Sequence, residues 1–565
     1  MKWFLVILFY GSTGALMYWG FPEYIKVPPM WNKIAIEAHV GEYKDYFIYA
    51  GFGLGTFCLF FMKGFGGFKS QIVCRLKGFQ WDLNDFCRGW LITGKTGSGK
   101  TASAIAHIIH QLFKNVNEEK KIKPWGGVAV DQKGNFFKII EDIAENYGQS
   151  DRLITLKVRS PEDPADWKPK YTYNLLSYPG IPASTYAKMI IDTASSLGQE
   201  SGGGGGFFKT QAQLHIEQAI DLLKIINFIK NSPDSIRLES NLSTAKTDDG
   251  YKSDLEIYNE MPSFVSLKNI YELLTDKELL KLATGILQLA LDLNIFAEQY
   301  PKEHKQIELL TTHFTQKFLN QPVDQLGGVI GTINNYLGFF TSDEICEVFC
   351  CEENTVEFEE VDNGVIFSVS MPQRFQSERV YVNTLMKMIY YTHALSRFDR
   401  PDDLKSNNLL IFIADEAQGV ITASKDGMTD YTVIDKIREA RATVLFAAQS
   451  TTSFLPVMKK EQVDTLLLNL ANQVHYTVAD ENNSKLIADQ IGKKEKTKKS
   501  HGFSGGKRSV NYQKQDEHII KPHILRGMKK FECVLIHCER GFRKLTLKPI
   551  TPEGKVPDYY SKIKR

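Results

Sequence analysis

The chain has 565 residues, 43% of them hydrophobic and 24% charged, which excludes a wholly disordered or collagen-like polymer. A formal net charge of +2 gives no global basic field, so any grip on nucleic acid must come from local patches. Eight cysteines are too few for a disulfide scaffold in a chain of this length.

Two uncharged apolar runs open the chain, Trp3–Phe21 and Tyr46–Met62. At 1.5 Å per residue they span roughly 28 and 26 Å, close to a bilayer core of about 30 Å. A signal peptide would need more than Met1-Lys2 ahead of the first run and a small-residue cleavage site after it. Residues 1–68 are therefore expected to be a membrane anchor, with helices at about 3–21 and 46–62. Lys63, Lys69, Arg75 and Lys77 form a basic flank that puts the rest of the chain on the cytoplasmic side, although Lys26, Lys33 and Lys44 in the outer loop make the bias mild.

Residues 69–180 read as alternating strands and helices. Gly94-Lys95-Thr96-Gly97-Ser98-Gly99-Lys100-Thr101 matches GxxxxGK[ST] in full, after the apolar Trp90-Leu91-Ile92 and before a helix over Ala102–Phe113. Glycines let backbone N–H groups turn inward around phosphate oxygens, and the helix N-terminus adds partial positive charge. Lys100 is expected on the β- and γ-phosphates of ATP, and Thr101 on Mg²⁺. Val128-Ala129-Val130-Asp131-Gln132-Lys133-Gly134-Asn135 reads as a strand and a tight turn, with no chemistry of its own.

Residues 181–355 are helical in pattern, with long stretches at Phe207–Lys230 and Tyr271–Tyr300 and a flexible joint at Gly202–Gly206. They hold 13 Lys/Arg against 24 Asp/Glu, a net of −11, so the rest of the chain carries +13. An acidic module is a poor DNA surface and a plausible dock for a basic protein. Cys346, Cys350 and Cys351 cluster without a second metal-like pair and read as core or reduced thiols.

From 356 to 565 the strand–helix alternation returns, in Gly364–Ser370, Leu409–Asp415 and Thr443–Gln449. Asp415 at a strand end is expected in the Mg²⁺ shell, and Glu416 beside it as the group that polarises the attacking water. Gln449 ends the next strand, where it could sense the γ-phosphate or the attacking water. The helical stretch Tyr431–Ala442 offers Arg438, and less well Arg441, as a finger for a neighbouring subunit's nucleotide. Lys493–Lys514 carries eight Lys/Arg and one acid, Glu495, and reads either as a mobile basic loop that could contact a phosphate backbone or as a solvated linker. The fold expected is α/β: a P-loop, RecA/FtsK-like nucleotide-binding domain (69–180 and 356–565), interrupted by an all-α domain (181–355), behind two transmembrane helices.

In that order these parts resemble the type IV secretion coupling proteins, the TraG/TraD-type ATPases of conjugation within the FtsK/HerA group. The resemblance also takes in the D-x-K-G turn at Asp131–Gly134 and the stretch Asn472–Gly492. It implies a homo-hexamer at the bacterial inner membrane, multi-pass, with its ATPase in the cytoplasm. Arg438 would act in trans, at the family's spacing ahead of Gln449. The partners implied are single- or double-stranded DNA, relaxase and relaxosome proteins, and secretion-channel components. Here the turn reads Asp-Gln-Lys-Gly-Asn, without the family's usual proline and acid, and no long acidic tail precedes Arg565, which shifts recruitment to the acidic helical module. Export of effector proteins, DNA translocation unrelated to secretion, and a nucleotide-gated scaffold are the competing expectations.

Overall fold

The computed structural model describes residues 72–116, 122–134, 136–196, 205–242, 253–404, 406–424, 427–504 and 507–563. The expected membrane helices at 3–21 and 46–62 lie outside the described residues. No helix among the described residues is long and apolar enough to cross a membrane.

The described chain opens with a small antiparallel hairpin, β1 (Ile72–Leu76) and β2 (Phe79–Asp82). Lys77 and Gly78 turn it with φ of 43° and 95°, the paired positive φ that matches the twist of its strands. The next strands in chain order are β3 (Trp90–Thr93), β4 (Gly126–Asp131), β5 (Leu153–Lys157), β6 (Ile366–Ser370), β7 (Leu410–Asp415), β8 (Ala442–Ala448) and β9 (Asn472–His475). Four more come last: β10 (Lys493–Ser504), β11 (Lys507–His518), β12 (Glu532–His537) and β13 (Gly541–Thr546).

A nine-stranded sheet runs in the order β13-β12-β9-β3-β8-β7-β4-β6-β5. The run from β9 to β5 is parallel, and β12 and β13 extend it antiparallel. Every residue of β3, β4 and β8 is buried, because both faces of the sheet are covered. Successive side chains point to opposite faces. Leu91, Phe412 and Phe446 enter one core, while Trp90, Ile92, Ile413 and Leu445 enter the other.

Between β5 and β6 the described elements are helices, among them Ala183–Ser196, Gly205–Asn231, Leu267–Thr275, Lys277–Asp292, Pro301–Thr312 and Val323–Leu337. Their apolar faces join the core on one face of the sheet. Cys346 and Cys350 are buried there. The single helix expected over Tyr271–Tyr300 is broken at Asp276. That residue leaves helical geometry (φ −90°, ψ 104°), and its carboxylate accepts the amides of Glu278 and Leu279, starting a new helix.

Three of the buried histidines are expected to make the fold less stable in acid. His215 and His313 face each other at 3.0 Å, and His475 lies between Thr93 and Gln473. Burial pushes their pKa values down to about 3, about 4 and about 3. The unfolded chain therefore binds more protons below pH ~6.5, and stability falls as pH drops through that value toward the folded pKa values, by at most about 1.4 kcal/mol per pH unit per histidine. The urea midpoint is expected to fall between pH 7 and pH 5, and to fall less in a His475→Gln variant.

The segment expected as a mobile basic loop is instead a long antiparallel ribbon, β10 paired with β11 from Lys493↔His518 to Ser504↔Lys507. Gly505-Gly506 lies between the last paired residues, the composition of a two-residue hairpin turn. Diagonal ion pairs Lys514–Glu495 (2.9 Å) and Lys496–Glu517 (3.7 Å) cross it.

Candidate active site

β3 stops at Gly94, whose amide donates to the Ala448 carbonyl at 3.3 Å, and Lys95 donates to the Thr477 carbonyl at 2.9 Å. The loop is thus hung between β8 and the segment after β9. Gly97 and Gly99 have φ of 76° and 107°, in the left-handed region. A Cβ on Gly99 would also fall inside contact distance of the Phe531 ring. Phe531 locks the loop from the other side, its amide donating to the Ser98 carbonyl at 3.1 Å. Gly99→Ala is therefore expected to remove nucleotide binding while the sheet still folds, read by titration with a fluorescent ADP analogue beside far-UV circular dichroism.

Lys100 opens the helix that continues through Ala106–Lys114, and its Nζ donates back to the Gly94 carbonyl at 2.7 Å. Burial pushes the Lys100 pKa down, opposed by the charges of Asp415 and Glu416. The Thr101 hydroxyl donates to Asp415 Oδ2 at 2.8 Å. Burial pushes the Asp415 pKa up, opposed by that hydrogen bond and by Lys100. A divalent cation beside Thr101 and Asp415 would offset the cost of burying this carboxylate, and hydroxyl plus carboxylate oxygen is a donor set that suits Mg²⁺. The residues fit the ion.

Glu416 has φ 64° and ψ 50°, uncommon for a residue with a side chain. Its carboxylate lies 3.1 Å from Lys133 Nζ. That hydrogen bond and the charge of Glu416 raise the Lys133 pKa. The pairing of β4 with β7 aligns Asp131 with Asp415, so the turn after β4 rises beside the acidic pair. Asp131 builds the turn by accepting the amides of Gly134 (2.9 Å) and Phe136 (3.2 Å). Sequence reading gave Lys133 no role, since only the order of strands in the sheet brings it here.

These groups line a cleft of about 250 Å³ that also includes Thr96, Gln449, Lys530, Phe531 and Tyr559. The last three belong to a carboxyl-terminal segment with no motif. Its course is fixed by contacts such as the Ile550 amide on the Ala102 carbonyl at 3.0 Å. The structure therefore gathers Thr96, Gly97, Gly99, Lys100, Thr101, Asp415, Glu416 and Gln449 around one cavity. Arg438 is elsewhere. It caps the helix Asp430–Ile437 and is exposed, and its guanidinium makes no hydrogen bond or ion pair among the described residues. That helix is anchored by buried Asp430, which accepts Lys387 Nζ and the Tyr391 hydroxyl, each at 2.6 Å. Arg441 is committed to its own subunit, with φ 57° and a 2.8 Å hydrogen bond to the Asn407 carbonyl.

A phosphate-binding loop with its lysine, a buried hydroxyl–carboxylate pair and an adjacent carboxylate can bind a nucleoside triphosphate with Mg²⁺ and activate water beside it. Residues 410–530 match the family model TraG-D_C, described as the TraM recognition site of TraD and TraG. No curated protein matches the chain. Among solved structures, the unbound bacterial conjugative coupling protein TrwBdeltaN70 shares 13% identity, with 88% of this chain and 92% of that chain covered and a TM-score of 0.54. Plasmid coupling protein TrwB in complex with a non-hydrolysable ATP analogue shares 11%, with 86% and 92% covered and a TM-score of 0.52. TrwB in complex with ADP and Mg²⁺ shares 12%, with 85% and 89% covered and a TM-score of 0.51. At these identities the likeness to solved structures is one of fold. With the family-model match it bears out the resemblance to type IV coupling proteins.

Proposed function

We propose that the chain is the coupling ATPase of a type IV secretion (conjugation) system, which recruits a relaxase–DNA substrate and uses ATP hydrolysis to deliver DNA into the channel. The observation that carries this is the convergence of Lys100, Thr101, Asp415 and Glu416 on one cleft, in a chain with the fold of coupling proteins. Amides of the cleft-lining loop residues Thr96, Gly97, Gly99, Lys100 and Thr101, with the Lys100 ammonium, hold the phosphates. Thr101 and Asp415 hold Mg²⁺, which when bound neutralises charge on the β- and γ-oxygens. Glu416, freed from Lys133, takes a proton from the attacking water, and Gln449 orients that water. Arg438 of one protomer reaches the nucleotide of the next in a homo-hexamer.

In the same reading, residues 1–68 anchor the protein in the bacterial inner membrane by two helices. The nucleotide-binding domain is built from 69–180 and 356–565, around an all-α domain at 181–355. The net charge of −11 on that all-α domain favours docking of a basic protein, which also supports a second reading, export of effector proteins.

ATPase activity of the full chain in detergent, with and without DNA, tests the proposal. Several-fold stimulation by DNA, weakened by salt and lost in Lys100→Ala, is expected. Activity that depends on Lys100 but ignores DNA would replace DNA delivery with the second reading.

A further inference from the structure

None of the residues that line the nucleotide cleft belongs to the β10–β11 ribbon. Its paired residues extend for roughly 40 Å at ~3.4 Å per residue. Among the described residues it pairs with no other strand. A lone two-stranded hairpin is marginal in water, so such a length of uncovered strand needs a reason. Its charge is sorted along its length. The acids Glu495, Asp516 and Glu517 all lie near the base, where Asp489 of the preceding helix also binds Lys493 (3.2 Å) and His518 (2.8 Å). Residues 498–513 include Lys498, Lys499, Lys507 and Arg508 and no acid.

Apolar surface is exposed in the same acid-free part. Tyr512 is 63% exposed and Val510 is 42% exposed. Tyr512 pairs with Lys499, whose ammonium lies 5.6 Å from the Tyr512 ring centroid, and Val510 pairs with His501 two positions on. The alternation along a strand puts Lys499, Val510 and Tyr512 on one face. A flat aromatic ring beside cations on a polar, uncovered ribbon suits a base stacked on the ring with its phosphates on the lysines.

We infer that this face of the ribbon grips single-stranded nucleic acid, with Tyr512 as the stacking platform and Lys499 as a phosphate contact. The inference rests on the DNA-delivery reading above. The acid-free charge favours a polyanion, and the exposed ring favours unpaired bases over a duplex, whose bases are already stacked.

The test is fluorescence anisotropy of labelled oligothymidylate with the full chain in detergent, over a range of salt concentrations, beside a duplex of equal length. Tyr512→Ala is expected to weaken binding to the single strand by about 5- to 100-fold without changing the salt slope. The duplex should be unaffected, and Tyr512→Phe should restore affinity. Lys499→Gln is expected to flatten the slope of log K against log salt by about 0.7. A fluorescent ADP analogue should bind all variants as it binds wild type, showing an intact fold. If wild type binds oligothymidylate and both variants bind it equally with the same slope, the ribbon assignment is overturned while DNA delivery stands. Equal losses on strand and duplex overturn the single-strand assignment. Failure of wild type to bind either nucleic acid overturns DNA delivery and the ribbon together.

Discussion

Replacing Glu416 by Gln is expected to stop ATP turnover while leaving ATP bound. Loss of a general base costs typically 10²–10⁴ in rate. Gln has the shape of Glu, so the left-handed backbone at this position (φ 64°) is no worse for it. It can no longer take a proton. Binding should survive because the phosphates are held by the cleft-lining loop residues Thr96, Gly97, Gly99, Lys100 and Thr101, and Lys100 is tethered to the Gly94 carbonyl and not to Glu416. Stability should survive too. The ion pair that is lost joins Glu416 to Lys133, which is 63% exposed, and exposed pairs contribute about 0–1 kcal/mol. Single-turnover hydrolysis, binding of a fluorescent ATP analogue and a thermal melt read these outcomes separately. Turnover within a few-fold of wild type would remove Glu416 from the chemistry. A large fall in melting temperature would make its role structural.

The phosphate loop and the acidic strand end were legible because their chemistry is local. A loop that cradles phosphate needs glycines and a lysine at fixed spacing, and a buried strand ending in Asp415-Glu416 announces itself by its apolar run. Lys133 was not legible, because its role depends on β4 lying beside β7, a pairing between residues far apart in sequence. Lys530, Phe531 and Tyr559 escaped for the same reason: the carboxyl-terminal segment reaches the cleft only through tertiary contacts. The ribbon misled in another way. Lysine is a poor strand former, and the sequences of the two strands carry few apolar residues, so the usual alternation signal is missing. The remaining cue was Gly505-Gly506, flanked by stretches able to pair. The break at Asp276 was a local signal passed over, since an aspartate three residues ahead of an apolar run marks a helix start.

Arg438 gives the sharpest test of assembly. β8 runs from Ala442 to Ala448, with Gln449 in the cleft at its far end and Arg438 before its start. Seven strand residues at ~3.3 Å each set these ends about 20 Å apart, too far for Arg438 to serve its own nucleotide. Its guanidinium is exposed and uncommitted among the described residues, free to meet a neighbour. Arg438→Ala is therefore expected to lower kcat by about 10³-fold or more in the assembled protein, with nucleotide binding to each cleft retained. Lys100→Ala should be inactive for the opposite reason, a broken cleft beside an intact finger. Co-assembled in equal amounts, the two inactive variants should regain activity wherever the cleft of an Arg438→Ala protomer meets the arginine of a Lys100→Ala protomer. Random mixing makes such sites about a quarter of the total, the signature of a finger acting in trans. Arg441→Ala should not complement Lys100→Ala in this way, because that side chain supports the Asn407 carbonyl within its own subunit. No recovery in rings shown to contain both variants would mean that Arg438 does not act across the interface.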